Sequence, residues 1–154
     1  MPKWVDWLQG KLTTLGAAAG GASGNGAGDD PKRREKKDQL ADRGENLAAK
    51  HLQKLGYRIL NRNLDTPVGE IDIVARDGKT LVFVEVKTRA YDEPSPEEQI
   101  DAGKVHRLTK AAKFFLGRYG QPHPPARFDV IAVVWPQGQP PVLRHIENAF
   151  EPSF

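Results

Sequence analysis

The sequence contains no cysteine, which excludes a disulfide scaffold, a thiolate zinc site and a cysteine nucleophile. It also lacks any apolar run approaching the ~20 residues that a membrane helix requires. Asp6, Gln9 and Lys11 interrupt the only apolar stretch near the start, which argues against a secretory signal. A reducing cytoplasm is the expected compartment. Excess charge is small: 23 Lys and Arg stand against 20 Asp and Glu, a net of +3, so an anionic partner is permitted and not demanded. No Gly-rich phosphate loop leads into Lys-Ser/Thr. The histidines His51, His106, His123 and His145 show no paired metal spacing and are expected at surface positions. What remains is a chain of 154 residues, 38% apolar and 28% charged, with room for one ordinary domain.

Composition changes near residue 40. Residues 1–38 are expected to form an N-terminal extension. Within it, Trp4, Trp7, Leu8, Leu12 and Leu15 fall at helical spacing, a short amphipathic segment able to dock a protein partner or to pack on its own domain. Residues 16–28, GAAAGGASGNGAG, contain no large side chain and read as a flexible linker. The domain proper is placed at 39–154.

Asp30-Pro31 resembles an N-cap followed by proline at the first helical position, and PKRREKK reads as a solvated basic face. Leu40, Leu47, Ala48, Leu52 and Leu55 share one face of a helix that Gly56 should end. Tyr57–Leu60, Glu70–Arg76 and Leu81–Arg89 are strand candidates, the last two joined across Asp77-Gly78. Ser95-Pro96-Glu97-Glu98 reads as a capping box opening helical structure. Val105, Leu108, Ala112, Phe115 and Leu116 form the apolar face of the next helix. Phe128–Trp135 and Val142–Ile146 complete the order α-β-β-β-α-β-β. The predicted class is α/β, a mixed sheet flanked by helices.

A two-residue turn at Asp77-Gly78 predicts Glu70 opposite Glu85 and Asp72 opposite Phe83. Alternation then places Glu70, Asp72, Phe83, Glu85 and Lys87 on one face, and Ile71, Ile73, Ala75, Val82, Val84 and Val86 on the other. Carboxylates brought this close repel unless a cation lies between them. Hard oxygen donors suit Mg²⁺ or Mn²⁺ held by one or two carboxylates plus water and phosphate. The alternative for the same residues is a cross-strand ion pair at the wet end of the sheet. On the second helix, His106, Arg107, Lys110 and Lys113, with Lys104 nearby and Arg89 after the E-x-K, are candidates for phosphate contact. Asp129 is expected to pair with Arg127.

Arg43-Gly44-Glu45 with Ala48-Ala49, Gly56-Tyr57, Gly69-Glu70-Ile71-Asp72 and Val82-Phe83-Val84-Glu85-Val86-Lys87 together resemble the YraN family of uncharacterised bacterial proteins, from about residue 40 to 150. That family is in turn similar to the PD-(D/E)XK nuclease superfamily, nearest to the archaeal Holliday junction resolvases. The resemblance implies a restriction-endonuclease-like core and metal-dependent hydrolysis of phosphodiester bonds in DNA by a homodimer, with branched or structured DNA as a candidate substrate. It implies that Asp72, Glu85 and the Val86 carbonyl hold Mg²⁺ or Mn²⁺, with Glu45 contributing directly or through water. Lys87 would position the attacking water, and Glu70 would support the site from outside. Many relatives carry arginine where Lys87 stands, and arginine is no base at neutral pH. A nucleic-acid-binding or adaptor module that keeps the fold without cleaving is therefore the second reading.

Overall fold

The computed structural model describes residues 30–151. The tryptophan-bearing segment and the 16–28 linker lie outside the described residues. Asp30 caps the first helix: its side chain accepts the Lys32 N–H at 3.1 Å, and Pro31 opens helix α1 (Pro31–Lys54) where no N–H is needed. The helix ends at Gly56, whose φ of +88° suits a residue without a Cβ. There the Tyr57 N–H reaches the Leu52 carbonyl at 3.0 Å, closing the helix end. Leu55 departs from the expected apolar face. It caps the helix and is 51% exposed, whereas Ala48, Ala49 and Leu52 are buried.

Strands β1 (Arg58–Thr66), β2 (Gly69–Asp77) and β3 (Thr80–Arg89) follow, then helix α2 (Ala102–Leu116), β4 (Ala126–Val134) and β5 (Val142–Phe150). The order matches the expected α-β-β-β-α-β-β. The capping box at Ser95 opens a single 3₁₀ turn, Pro96–Gln99. The five strands lie in sequence order in one sheet, with β3 and β4 parallel and the other neighbours antiparallel. β1 is longer than its apolar residues suggested, because its polar second half is held by pairing with β2 as an edge strand. β5 also runs on, to Phe150. An irregularity with Asn148 at φ +51° returns Ala149 and Phe150 to the core.

The sheet is covered on both faces. α1 packs Ala48, Ala49 and Leu52 on Ile73, Ala75, Val82, Val84, Ile131 and Val133. α2 packs Leu108, Ala111, Ala112, Phe115 and Leu116 on Val74, Leu81, Phe83, Phe128 and Phe150. Burial on two sides explains why β3 and β4 read as nearly continuous apolar runs.

The hairpin register differs from expectation. Asp77 pairs with Thr80 and Val74 with Phe83, so Gly78-Lys79 is the turn. Gly78, at φ +57°, takes the first turn position, which favours glycine in a two-residue hairpin. The offset is even, so Glu85 and Lys87 keep their expected face of β3, and the register carries Asp72 toward Glu85 in place of Phe83.

Candidate functional site

The β2–β3 ladder runs from Asp77↔Thr80 to Ile73↔Val84. At Asp72 the side chain takes over, and its Oδ2 accepts the Val86 N–H at 2.8 Å. The backbone turns over at this point. Ile71 joins the α2-side core while Ile73 faces α1, so the single apolar face expected for both does not extend to Ile71. The strands part here and leave a gap at the C-terminal end of β3. In an extended chain the N–H and C=O of one residue leave on the same edge, so the Val86 carbonyl is directed into that gap.

Three carboxyl groups gather around it. Glu85 is 5% exposed; its Oε1 lies 3.2 Å from Lys104 Nζ in the first turn of α2, and its Oε2 is buried without a partner. Glu45, on α1, is also buried, and its Oε1 likewise has no hydrogen-bond partner. Burial, then the Asp72 charge, pushes the Glu45 carboxyl up to about 7 against the pull of Arg62. The same two causes raise Glu85, with Lys104 opposing. Lys87 is shifted down, first by burial and then by Arg89, while Glu85 opposes. A shallow cleft of about 380 Å³ beside Glu45 is lined by Asp42, Asn46, Arg62 and Asn63, and Arg62 donates to Asn46 Oδ1 at 2.8 Å.

A buried carboxylate oxygen without a donor is costly to leave. Two such oxygens, each on a carboxyl near enough to Asp72 to feel its charge, are the kind of hard oxygen donor that a divalent cation takes. Among the described residues no group of three His, Asp or Glu side chains could hold a metal ion by itself. A cation held here would therefore have to keep water and take only one or two carboxylates, with Glu45 reaching it through water.

The other expected site residues are more dispersed. Glu70 is exposed on the far side of the gap, paired with Asp65. Arg89 ends β3, and its guanidinium donates to the Thr88 carbonyl at 3.1 Å. Lys104 is held by Glu85, a partnership that no sequence spacing announced. Arg107, Lys110 and Lys113 are exposed; Arg107 lies against Gly69 at the start of β2, and α2 carries Lys113 farther along. Lys113 is nine residues beyond Lys104, ~14 Å along the axis at the usual helical rise.

His51 and His145 are not the surface residues expected. Asp129 is fully buried. It accepts from Arg127 Nε at 3.0 Å, as anticipated, and also from His145 Nε2 at 2.8 Å and the Asn148 N–H at 3.0 Å. The His145 Nδ1 lies 3.1 Å from His51 Nε2. Because the carboxylate takes the Nε2 proton, a neutral His145 must accept from His51. Sequence spacing hid this chain because it joins α1, β4 and β5.

The approach of Glu45 to the gap depends on Gly44. A Cβ there would collide with the Thr88 side chain on β3, so glycine lets α1 lie against the strand. In an exposed helix Gly→Ala stabilises by about 1 kcal/mol; here the sign should reverse. Gly44→Ala is expected to destabilise by about 1–3 kcal/mol in chemical denaturation, and an unchanged midpoint would show that the helix does not need this approach.

The molecule is thus a mixed α/β protein with an acidic gap at one sheet end and a buried histidine–carboxylate chain under α1. A family model described as uncharacterised protein family UPF0102 matches residues 44–133. A UPF0102 protein of Geobacter sulfurreducens is 48% identical over 116 residues, covering 75% of this chain and 91% of that protein. One from Symbiobacterium thermophilum is 45% identical over 114 residues, 73% of this chain and 96% of the relative. The chain belongs to UPF0102, the YraN family. Among the described residues no helix is long and apolar enough to cross a membrane.

Proposed function

We propose that this protein is a metal-dependent nuclease of the PD-(D/E)XK type, hydrolysing phosphodiester bonds in DNA, with branched or otherwise structured DNA as the favoured substrate and a homodimer as the working unit. The observation that carries the reading is the meeting of Asp72 and Glu85 where β2 and β3 part, with buried carboxylate oxygens that lack donors. Asp72, Glu85 and the Val86 carbonyl would hold Mg²⁺ or Mn²⁺, and Glu45 would order its water. When bound, the cation would supply charge stabilisation at the phosphate and a more acidic water.

This chain's own residues do the rest. Lys87, the last residue of the E-x-K that Glu85 opens, presents an ammonium whose proton is held less tightly than usual. It would orient the attacking water or offset charge on the phosphate. Arg89 and Arg107 would hold the flanking backbone, with Lys110 and Lys113 reached only by a substrate that follows α2. Glu70 would bear on the gap electrostatically, as it already does on Glu45.

One observation favours the second reading, a nucleic-acid-binding or adaptor module that does not cleave: the Lys104 ammonium lies 3.2 Å from Glu85 Oε1, where it would compete with a cation for that carboxylate. The test is cleavage of end-labelled single-stranded, duplex, flap and four-way-junction DNA with Mg²⁺, Mn²⁺ or EDTA, beside Asp72→Ala/Glu85→Ala. Metal-dependent cutting that the double variant loses is the expected result. A folded protein that binds the junction and cuts nothing would make it the adaptor.

A further inference from the structure

The N-terminal half of α1 has a composition its packing does not explain. Residues 31–43 contribute no buried side chain, and the first buried position is Gly44. Lys32, Arg33, Arg34, Lys36 and Lys37 are all exposed, and residues 31–43 hold only three acids, Glu35, Asp38 and Asp42. This half of the helix projects past the C-terminal end of β3, because Gly44 is the residue that meets Thr88. It therefore stands at the same end of the sheet as the acidic gap, where Lys37 is close enough to bear on the Lys87 ammonium.

Beside it lies a groove of about 380 Å³ bounded by Lys36, Gln39, Arg43, Ala90, Trp135 and the loop that follows the tryptophan. The Arg43 guanidinium lies over the Trp135 ring, 4.0 Å from its centroid. The Trp135 backbone N–H donates to the Arg89 carbonyl at 2.8 Å, which ties this residue to the strand that carries Glu85 and Lys87. A cationic edge, a planar guanidinium and an indole in one groove are the parts of a stacking site for an unpaired base beside a phosphate track. A paired base cannot reach the ring without leaving its stack.

We propose that this groove is a nucleic-acid subsite that takes unpaired nucleotides of a strand passing the acidic gap, with the basic half of α1 along the phosphates and Trp135 with Arg43 as the stacking platform. The inference rests on the reading of the acidic gap as a nucleic-acid site and deepens it: the substrate would carry a single-stranded or splayed segment on the α1 side. It also moves the main phosphate track from α2, whose Lys110 and Lys113 lead away from the gap, to α1.

The test is fluorescence anisotropy of the full chain with labelled oligothymidylate and with a labelled duplex across a salt series. Lys36→Gln/Lys37→Gln is expected to weaken oligothymidylate binding about tenfold and to flatten log K against log salt by about 1.4, roughly 0.7 for each single-strand phosphate that the variant no longer neutralises. Trp135→Ala is expected to weaken oligothymidylate binding about tenfold or more and duplex binding little, with its melting curve recorded alongside. Both lysines are exposed, so their result stands if the tryptophan variant is unstable. Wild-type affinity and salt slope in the lysine variant would overturn the subsite alone, whereas failure of the wild type to bind any of these oligonucleotides or a junction would remove the parent reading as well.

Discussion

Glu85→Gln is expected to melt above the wild type at pH 8 without divalent metal and to lose both metal-induced stabilisation and cleavage. Glu85 is desolvated and faces Asp72, and its pKa is raised despite the ion pair with Lys104. An amide of the same shape removes the repulsion, and Lys104 is one-third exposed, so water takes over its solvation. A gain of about 0.5–2 kcal/mol is the usual return when a strained functional charge is removed. Glu45 shows the pH window. Its carboxyl rises from 4.5 to about 7 on folding, so the folded state holds the proton more tightly. The associated stability is complete below pH 4.5 and is lost as the pH climbs through about 7. Mg²⁺ or Mn²⁺ should restore it in the wild type, with proton release on binding. In Glu85→Gln the metal-dependent rise in melting temperature should vanish, and cleavage should fall about a thousandfold, the rate equivalent of several kcal/mol of charge stabilisation. An equal metal-induced shift in wild type and variant would place the cation elsewhere.

Asp129→Ala is expected to be the most destabilising single substitution, costing about 3–5 kcal/mol, or roughly 10–20 °C in melting temperature for a domain of this size. The side chain is fully buried; its loss strands the His145 Nε2–H and the Asn148 N–H together and takes one partner from the Arg127 guanidinium, which keeps Asp77 and Tyr57. Burial alone would raise the Asp129 pKa; the hydrogen bonds from His145, Arg127 and Asn148 outweigh it and hold the carboxyl below 3.8. Its contribution is therefore present above pH 3.8 and is lost as the pH falls through the lower folded value. His51 adds a second window. Burial, then His145 and Lys54, lowers its pKa from 6.5, so stability declines as the pH drops below 6.5 and the ring is driven to protonate against His145. Equilibrium denaturation from pH 7 to 4 should show this slope in the wild type and lose it in His51→Gln. A midpoint for Asp129→Ala within about 1 kcal/mol of wild type, the centre of ordinary point-mutant effects, would mean that water replaces the carboxylate at no cost.

Although the second helix starts at Ala102 behind Asp101 and not at the Ser95 capping box, the element order, the first helix start, its stop at Gly56 and the common face of Glu85 and Lys87 were legible in the chain. Each rests on a local signal: a cap, a positive-φ glycine, or a period of two or 3.6 residues. Local signals carried the hairpin only so far. The dipeptide Asp77-Gly78 announces a turn without saying which of its two positions glycine takes, and the answer, Gly78 first, moves Phe83 from Asp72 to Val74. β1 was half hidden because Asn61, Arg62, Asn63 and Asp65 owe their strand to a neighbour's hydrogen bonds and not to their own pattern.

The sequence by itself determined the α/β class, the family and the E-x-K on one face of β3, because these depend on periodicity and on motifs whose members lie within a few residues of one another. The tertiary structure decided the rest. It parted β2 from β3 at Asp72, placed Lys104 on Glu85 across 19 residues of chain, and linked His51 to His145 across 94. It also set Lys36, from the PKRREKK run, in one groove with Arg43 and Trp135. Contacts between distant segments are fixed by how the helices pack on the two faces of the sheet, and no spacing along a single chain encodes that placement.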